Sequence, residues 1–126
     1  MEELIADAEP LAIFVYDSDK MKTDGAHWKA FLPAKDGERS FFRVSELSEA
    51  QVAEIGHREA ATRQDQQLQG WAEILGSDVR TRPPLWLKVV EPPPRHGVIL
   101  GWPAESQDKK KLAMALAGVA KTVRCG

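Results

Sequence analysis

The residues best suited to binding or chemistry lie in one segment, residues 92–103, which reads Pro-Pro-Pro-Arg-His-Gly-Val-Ile-Leu-Gly-Trp-Pro. Arg95 and His96 place a guanidinium beside a titratable imidazole, a pair that can hold a phosphate or a carboxylate. The prolines before them stiffen the loop, and Trp102 could act as an aromatic anchor at an interface. The simpler alternative is that the prolines only set the turn into a strand and that His96 caps it or lies in solvent.

A second group of cations, Lys109, Lys110 and Lys111, falls in the first turn of a predicted helix. The helix dipole disfavours positive charge at that end, so a docked anion would relieve a local conflict. A solvated surface run is the plainer interpretation. From Arg80 to Lys111, seven basic residues stand against three acidic ones, which gives this part of the chain a modest basic excess.

No known catalytic or metal-binding motif occurs. The sequence has no G-x-S-x-G elbow, no P-loop, no G-x-G-x-x-G and no H-E-x-x-H. The acidic loop after Asp17 fails the spacing of an EF-hand, and His27, His57 and Cys125 lack metal-ligand spacing. We therefore expect no metal and no cofactor, and we assign no catalytic residue. The predicted binding residues are Arg43, Arg95, His96, Trp102, Lys109, Lys110 and Lys111.

Length and composition indicate one ordinary globular domain over residues 1–126, with a formal net charge of −2. That charge gives no electrostatic reason to expect nucleic-acid binding, although a local basic patch stays open. The single cysteine forbids an internal disulfide. The acidic N-terminus is unlike a signal peptide, and the longest apolar run has six residues, too few to span a bilayer. We expect a cytoplasmic protein that does not engage a membrane.

The elements that must position these residues alternate in the order β-β-α-β-β-β-α. We expect an α+β fold: a single compact domain with a mainly antiparallel sheet of about five strands and two main helices. An additional short acidic helix is expected over residues 2–9, closed by Pro10. The strands are expected at residues 11–16, 40–44, 70–75, 85–90 and 98–102, with Trp71 and Trp86 packed in the core or on a sheet face.

The clearest local signal is the start of the first main helix. Ser48 at the N-cap and Gln51 three residues later form a capping box, and Leu47 with Val52 forms a hydrophobic staple. Residues 62–69 either continue this helix or form a linker. The last helix is expected from near Ser106 to about residue 123, with an apolar stripe along one face.

Two segments resemble a family of short, uncharacterised bacterial proteins. Residues 42–48 read F-R-V-S-E-L-S and are followed by E-I-G at residues 54–56, while residues 94–103 read P-R-H-G-V-I-L-G-W-P. These are similar to that family's F-R-V-x-x-L-S and P-R-H-x-x-I-x-G-W-P patterns, and the resemblance covers about half of the chain. It implies a bacterial cytosolic protein encoded with partner genes, as in a defence or mobile-element system. It supplies no active site.

Together these observations favour a small binding or accessory module. It would present an Arg95, His96 and Trp102 edge, with the lysines of the last helix, to a protein partner or an anionic group. One alternative is a phosphate-handling enzyme or toxin-like factor that uses His96 with Arg43 or Arg95. Another is a weak nucleic-acid-binding protein, which the net charge disfavours.

Overall fold

The protein is described by a computed structural model that covers residues 5–22, 25–63 and 66–125. The strands are β1 (Pro10–Val15), β2 (Met21–Lys22), β3 (Gly25–Ala26), β4 (Arg39–Arg43), β5 (Gly70–Leu75), β6 (Trp86–Val89), β7 (His96–Leu100) and β8 (Lys121–Arg124). The helices are α1 (Glu49–Ala60), α2 (Gly76–Arg80) and α3 (Ser106–Val119), with 3₁₀ helices at Ser18–Lys20 and Trp28–Phe31.

Six strands form one sheet in the order β6-β7-β4-β1-β5-β8, and β2 pairs with β3 in a separate hairpin. Every pairing is antiparallel. Strand β1 lies in the middle, with Leu11 opposite Arg43 of β4 and opposite Ile74 of β5. On the other side of β4, Phe42 lies opposite His96 of β7. The expected α+β fold with a mainly antiparallel sheet is confirmed, and the sheet has six strands where about five were expected.

The larger core lies on one face of the sheet. Because side chains alternate along a strand, Leu11 and Ile13 of β1 point to this face together with Phe41 of β4. Helix α3 covers it with Ala113 and Leu116, both fully buried. The 3₁₀ helix Trp28–Phe31 packs against α3 and completes this layer.

The opposite face carries a smaller core beneath α1. Phe14, Phe42 and Trp71 point to this face, and Val52 of α1 packs on them. Ser48 accepts a hydrogen bond from the Gln51 N–H at 3.2 Å, and the Gln51 side chain accepts one from the Ser48 N–H at 2.9 Å. The predicted capping box is thus confirmed. The sheet therefore separates an α3 face from an α1 face.

Several predicted boundaries are wrong. The last helix ends at Val119, and residues 121–124 form strand β8 instead of its final turn. The cause is tertiary: Val123 lies opposite Trp71 of β5 and packs against the α1-face core. The residues after β5, for which no helix was predicted, form α2, and the Asp78 carboxylate accepts a hydrogen bond from the Leu75 N–H at its start at 2.8 Å.

The N-terminal segment and the long loop also differ from expectation. Residues 5–9 contain no helix, and the Glu9 side chain instead binds Arg43 of β4; residues 2–4 of the expected helix lie outside the described residues. Between β1 and β4, where no element was predicted, the chain forms the β2–β3 hairpin and both 3₁₀ helices. Helix α1 ends at Ala60, and of the polar stretch that follows, residues 66–69 have no regular structure and residues 64–65 are outside the description.

Helix length bears on the membrane expectation. The longest helix, α3, has 14 residues. Across residues 5–22, 25–63 and 66–125, no helix is long and apolar enough to cross a membrane.

Candidate functional site

Three of the predicted binding residues meet at one end of the sheet, where β4 ends and β7 begins. Arg43 is the last residue of β4, and the Arg95–His96 pair leads into β7. The Arg43 N–H donates to the Arg95 carbonyl at 2.8 Å. We call this the proline-loop end: residues 91–96 together with Arg43.

Arg43 is engaged in an ion pair. Its Nη2 donates to Glu9 Oε1 at 2.9 Å and its Nε donates to Glu9 Oε2, so the guanidinium and carboxylate meet in two bonds. Both side chains are only about one-tenth exposed. The hydrogen bond from Arg43 lowers the pKa of Glu9, against a smaller opposing effect of burial. A substrate anion would have to compete with this carboxylate.

Arg95 is exposed and held in position through its backbone. Its φ of 69° lies in the left-handed region, and its N–H donates to Glu91 Oε2 at 3.0 Å. One guanidinium nitrogen, Nη1, donates to the Arg43 carbonyl at 3.3 Å. Within the described residues, no carboxylate forms an ion pair with Arg95, so most of its donors face solvent.

His96 is half-buried, and both sides of its ring are occupied by structural contacts. Nδ1 lies 2.8 Å from the Val90 carbonyl, so Nδ1 must carry the proton and a neutral ring presents Nε2 as an acceptor. The ring also packs on Phe42 with centroids 5.3 Å apart. Neither contact is a carboxylate, the group that orients the histidine of a catalytic triad. The arrangement suits a strand-anchoring histidine.

Trp102 lies beyond the opposite end of β7 from His96, about 20 Å along an extended chain of six residues. Its indole Nε1 donates to the Ile99 carbonyl at 3.1 Å, and the half-buried ring packs against the α3-face core. The exposed tryptophan is Trp86 of the edge strand β6, at 51%. The expected core or sheet-face packing holds for Trp71, which is 1% exposed, and is wrong for Trp86.

The three lysines of α3 belong to the other side of the sheet. Lys110 and Lys111 are exposed and Lys109 is half-buried, and the Lys110 ammonium lies 5.1 Å from the centre of the Trp28 ring. Helix α3 covers the α3 face, whereas the His96 side chain packs with Phe42 on the α1 face. The structure therefore does not join these lysines to His96 in one surface.

A groove runs between the proline loop and α1, with a volume of about 250 Å³. Its apolar lining comes from Phe42, Leu47 and Ile55 on one side and from Pro93 and Pro94 on the other. Its charged rim consists of Glu54, Arg58, Glu59 and Arg95. We call this the proline-loop groove. A more open and more polar cavity of about 490 Å³ adjoins it, lined by Glu9, Arg43, Ser45, Glu46, Glu91, Pro94 and Arg95.

A second cluster, which the sequence did not predict, lies at the opposite end of the sheet. Arg39 begins β4 there, and its buried Nε has no hydrogen-bond partner. The Arg63 guanidinium lies 4.5 Å from the centre of the Tyr16 ring, and both residues line a cavity with Arg39. One signal was present, an arginine one residue before the predicted strand over residues 40–44, but nothing in the sequence joins it to Tyr16 or Arg63.

Metal binding has no support in the described geometry. Over residues 5–22, 25–63 and 66–125, no group of three or more His, Cys, Asp or Glu side chains is placed to hold a metal ion. Burial raises the pKa of the Cys125 thiol, which disfavours the thiolate that binds metals or reacts.

The fold and sites define a small α+β domain with an antiparallel sheet covered on both faces. Compared with family models, curated proteins and solved structures, the chain matches none of them. The resemblance to a bacterial family therefore stays a prediction that rests on the two sequence segments.

Proposed function

We propose that the protein is a non-enzymatic binding module that holds a segment of a partner protein in the proline-loop groove. The observation that carries this proposal is the exposed Pro93-Pro94-Arg95 wall, which faces α1 across an apolar floor. Arg95 lies at the rim without a carboxylate partner in the described part of the chain.

The groove's chemistry indicates what such a segment would carry. The apolar lining from Phe42, Leu47 and Ile55 would take an apolar side chain. The rim charges on α1 are already matched within the chain, since Arg58 pairs with Glu54 at 3.5 Å and Arg63 approaches Glu59 at 4.0 Å. Arg95 is the rim charge left to pair with the partner. The complementary segment thus has an apolar residue next to an acidic one.

The proline loop is restrained by hydrogen bonds and by its prolines, and this restraint supports a binding role. Glu91 accepts the Arg95 N–H, and the Pro93 carbonyl accepts the His96 N–H at 3.2 Å. Prolines have few backbone conformations to lose. A surface that is already ordered loses less entropy when a partner docks, so a small groove can still give useful affinity.

The cellular context that we propose for the module rests on the sequence and its resemblance to a bacterial family. We place the module in the bacterial cytoplasm as an accessory subunit encoded with its partner, in a defence or mobile-element system. The pairing of Arg43 with Glu9 and the backbone carbonyl of Val90, instead of a carboxylate, on His96 Nδ1 favour this over the phosphate-handling enzyme.

The test compares three tagged proteins expressed in the native cell: wild type, Arg95→Glu and Arg124→Glu. Arg124 is an exposed residue on the far edge strand β8, so its reversal matches the charge change away from the groove. We expect a stoichiometric protein that co-purifies with wild type and Arg124→Glu and is lost with Arg95→Glu. A photo-crosslinking residue at position 94 should then link to that protein.

The other outcomes would overturn the proposal. A protein retained equally by all three would bind elsewhere. Nucleic acid that elutes as salt is raised would favour the nucleic-acid alternative, since such binding weakens steeply with salt. Thermal unfolding of each variant shows that a lost complex does not reflect a lost fold.

A further inference from the structure

We infer that the end of the sheet opposite the proline loop is a binding site for a small molecule with a phosphate group. Arg39 and Arg63 would hold the phosphate, and Tyr16 would lie between them and the rest of the ligand. We call it the Arg39 cavity. It is separate from the proline-loop groove because Arg39 begins β4 while Arg43 ends it, so either proposal can fail without the other.

The cavity consists of two adjoining spaces. The inner one has a volume of about 210 Å³ and contains the cationic side chains Lys20, Arg39 and Arg63. The outer one has a volume of about 620 Å³ and is lined by Tyr16, Asp17, Ser18, Gln66, Gln67 and Gln69. Tyr16, Asp17 and Gln66 line both, so the spaces are continuous. The outer volume lies in the range of small-molecule sites.

Arg39 is the strongest sign of a missing ligand. Its Nη2 donates to the Phe14 carbonyl at a long 3.4 Å, and its buried Nε has no partner. No carboxylate in the described ranges forms an ion pair with it. Arg39 as a whole is only partly buried, but its enclosed Nε–H is shielded from water without gaining an acceptor, and an unsatisfied buried donor is costly. The cost appears in the pKa of Arg39, which burial lowers to about 10.

Arg63 adds a second cation close enough to act on the first. Its charge contributes to lowering the pKa of Arg39, against the opposing effect of Tyr16. Arg63 is held over the Tyr16 ring and donates to the Glu59 carbonyl at 3.0 Å, so it cannot move away without losing these contacts. A bound anion between the two guanidinium groups would replace repulsion by attraction and give Arg39 Nε an acceptor.

The charges favour a phosphate over a carboxylate. The described lining of the inner space carries three cations, Lys20, Arg39 and Arg63, and one carboxylate, Asp17, and the Glu59 carboxylate lies 4.0 Å from Arg63. Positive charge remains in excess. A phosphate monoester, with about two negative charges at neutral pH, has enough acceptor oxygens to bind both guanidinium groups at once, whereas a carboxylate has fewer. The glutamine amides of the outer space can donate and accept hydrogen bonds, so the remainder of the ligand is expected to be polar, as a sugar is.

The experiment is calorimetric titration of the whole protein at low ionic strength with three probes: inorganic phosphate, ribose 5-phosphate and acetate. We expect both phosphates to bind, ribose 5-phosphate at least threefold more tightly, and acetate at least tenfold more weakly than phosphate. Arg39→Met should weaken both phosphates at least tenfold. Lys88→Met, the same loss of one positive charge at an exposed position of the edge strand β6, should leave them within twofold.

A measurement on the wild type keeps the proposal testable if Arg39→Met fails to fold. The Arg39 Nε–H resonance, observed by ¹⁵N NMR, should shift on addition of phosphate and stay in place with an equal ionic strength of chloride. The inference is wrong if the resonance is unmoved, if the two methionine variants weaken phosphate equally, or if acetate binds as well as phosphate.

Discussion

Glu9 and Arg43 join the chain before β1 to the end of β4 through two hydrogen bonds between one carboxylate and one guanidinium. The Glu9 Oε1 atom also accepts the Ala6 N–H at 3.2 Å, and the Glu9 carbonyl accepts the N–H of Gly76 at 3.0 Å. A single residue thus fastens β1, β4 and the start of α2 at the proline-loop end. These bonds hold the segment before Pro10 as a turn, closed by the Glu9 N–H on the Ala6 carbonyl at 3.1 Å, in place of the expected helix.

Glu9→Gln should lower the free energy of unfolding at pH 7 by about 2 kcal/mol, the range of a hydrogen bond to a charged group. The pKa of Glu9 in the folded protein lies below its ordinary 4.5. The unfolded chain therefore binds the proton more readily, and the stabilisation is complete above about pH 4.5 and lost as pH falls through the folded value. Urea unfolding between pH 3 and pH 7 measures it.

The pH dependence separates the ion pair from simple packing. As pH falls below 4.5, the difference between the wild type and Glu9→Gln should shrink, whereas Asp36→Asn, on an exposed loop, should follow the wild type throughout. A difference between wild type and Glu9→Gln that stays constant down to pH 3 would contradict the assignment, because it could not come from the charge of Glu9.

Local signals in the sequence predicted local structure well. The Ser48–Gln51 capping box specified the start of α1, since both of its hydrogen bonds lie within one turn. Residues 121–124 show the limit of such signals. Val123 continues the helical spacing of α3 and is also β-branched, and its pairing with Trp71, fifty-two positions earlier, decides the outcome. No local pattern contains that contact.

The candidate sites show the same difference between features set by neighbouring residues and features set by long-range contacts. The sequence placed Arg95 and His96 together because they are neighbours, and it offered Arg43 as an alternative to Arg95 for stabilising charge beside His96. It predicted an interface role for Trp102 because loop residues lie beside it. It could not find the Arg39 cavity, where Tyr16, Arg39 and Arg63 come from three separate elements. Their approach depends on the order of strands in the sheet.

Two glycines should respond oppositely to the same substitution. A Cβ on Gly97 would lie 2.3 Å from Phe41 Cζ and 2.8 Å from the Lys88 carbonyl oxygen, so Gly97→Ala should destabilise the protein by about 2 kcal/mol through overpacking. A Cβ on Gly118 of α3 would meet nothing within 4 Å, and Gly118→Ala should stabilise by about 0.7 kcal/mol through helix propensity. Chemical denaturation gives both values.

This pair is informative because the chemical change is identical. The Phe41 ring packs against the bare backbone of β7, so a methyl group there must displace either the ring or strand β6. If Gly97→Ala is neutral, the close approach of Phe41 to β7 is not as described, and the packing of the α3 face at that edge would need revision.

Comparing the stabilities of Trp102→Ala and Trp86→Ala tests which tryptophan stabilises the fold. Trp102→Ala removes a ring packed on the α3-face core and leaves the Ile99 carbonyl without its indole donor, so we expect a loss of about 3 kcal/mol. Trp86→Ala, at a half-exposed ring on β6, should lose less than about 1 kcal/mol. Urea unfolding measures both losses. Acrylamide should quench the fluorescence of Trp102 less than that of Trp86.

Had Trp102 been an exposed anchor for a partner, its removal would leave stability unchanged and alter binding alone. A Trp102→Ala protein as stable as wild type would therefore restore Trp102 to the binding surface and remove it from the core.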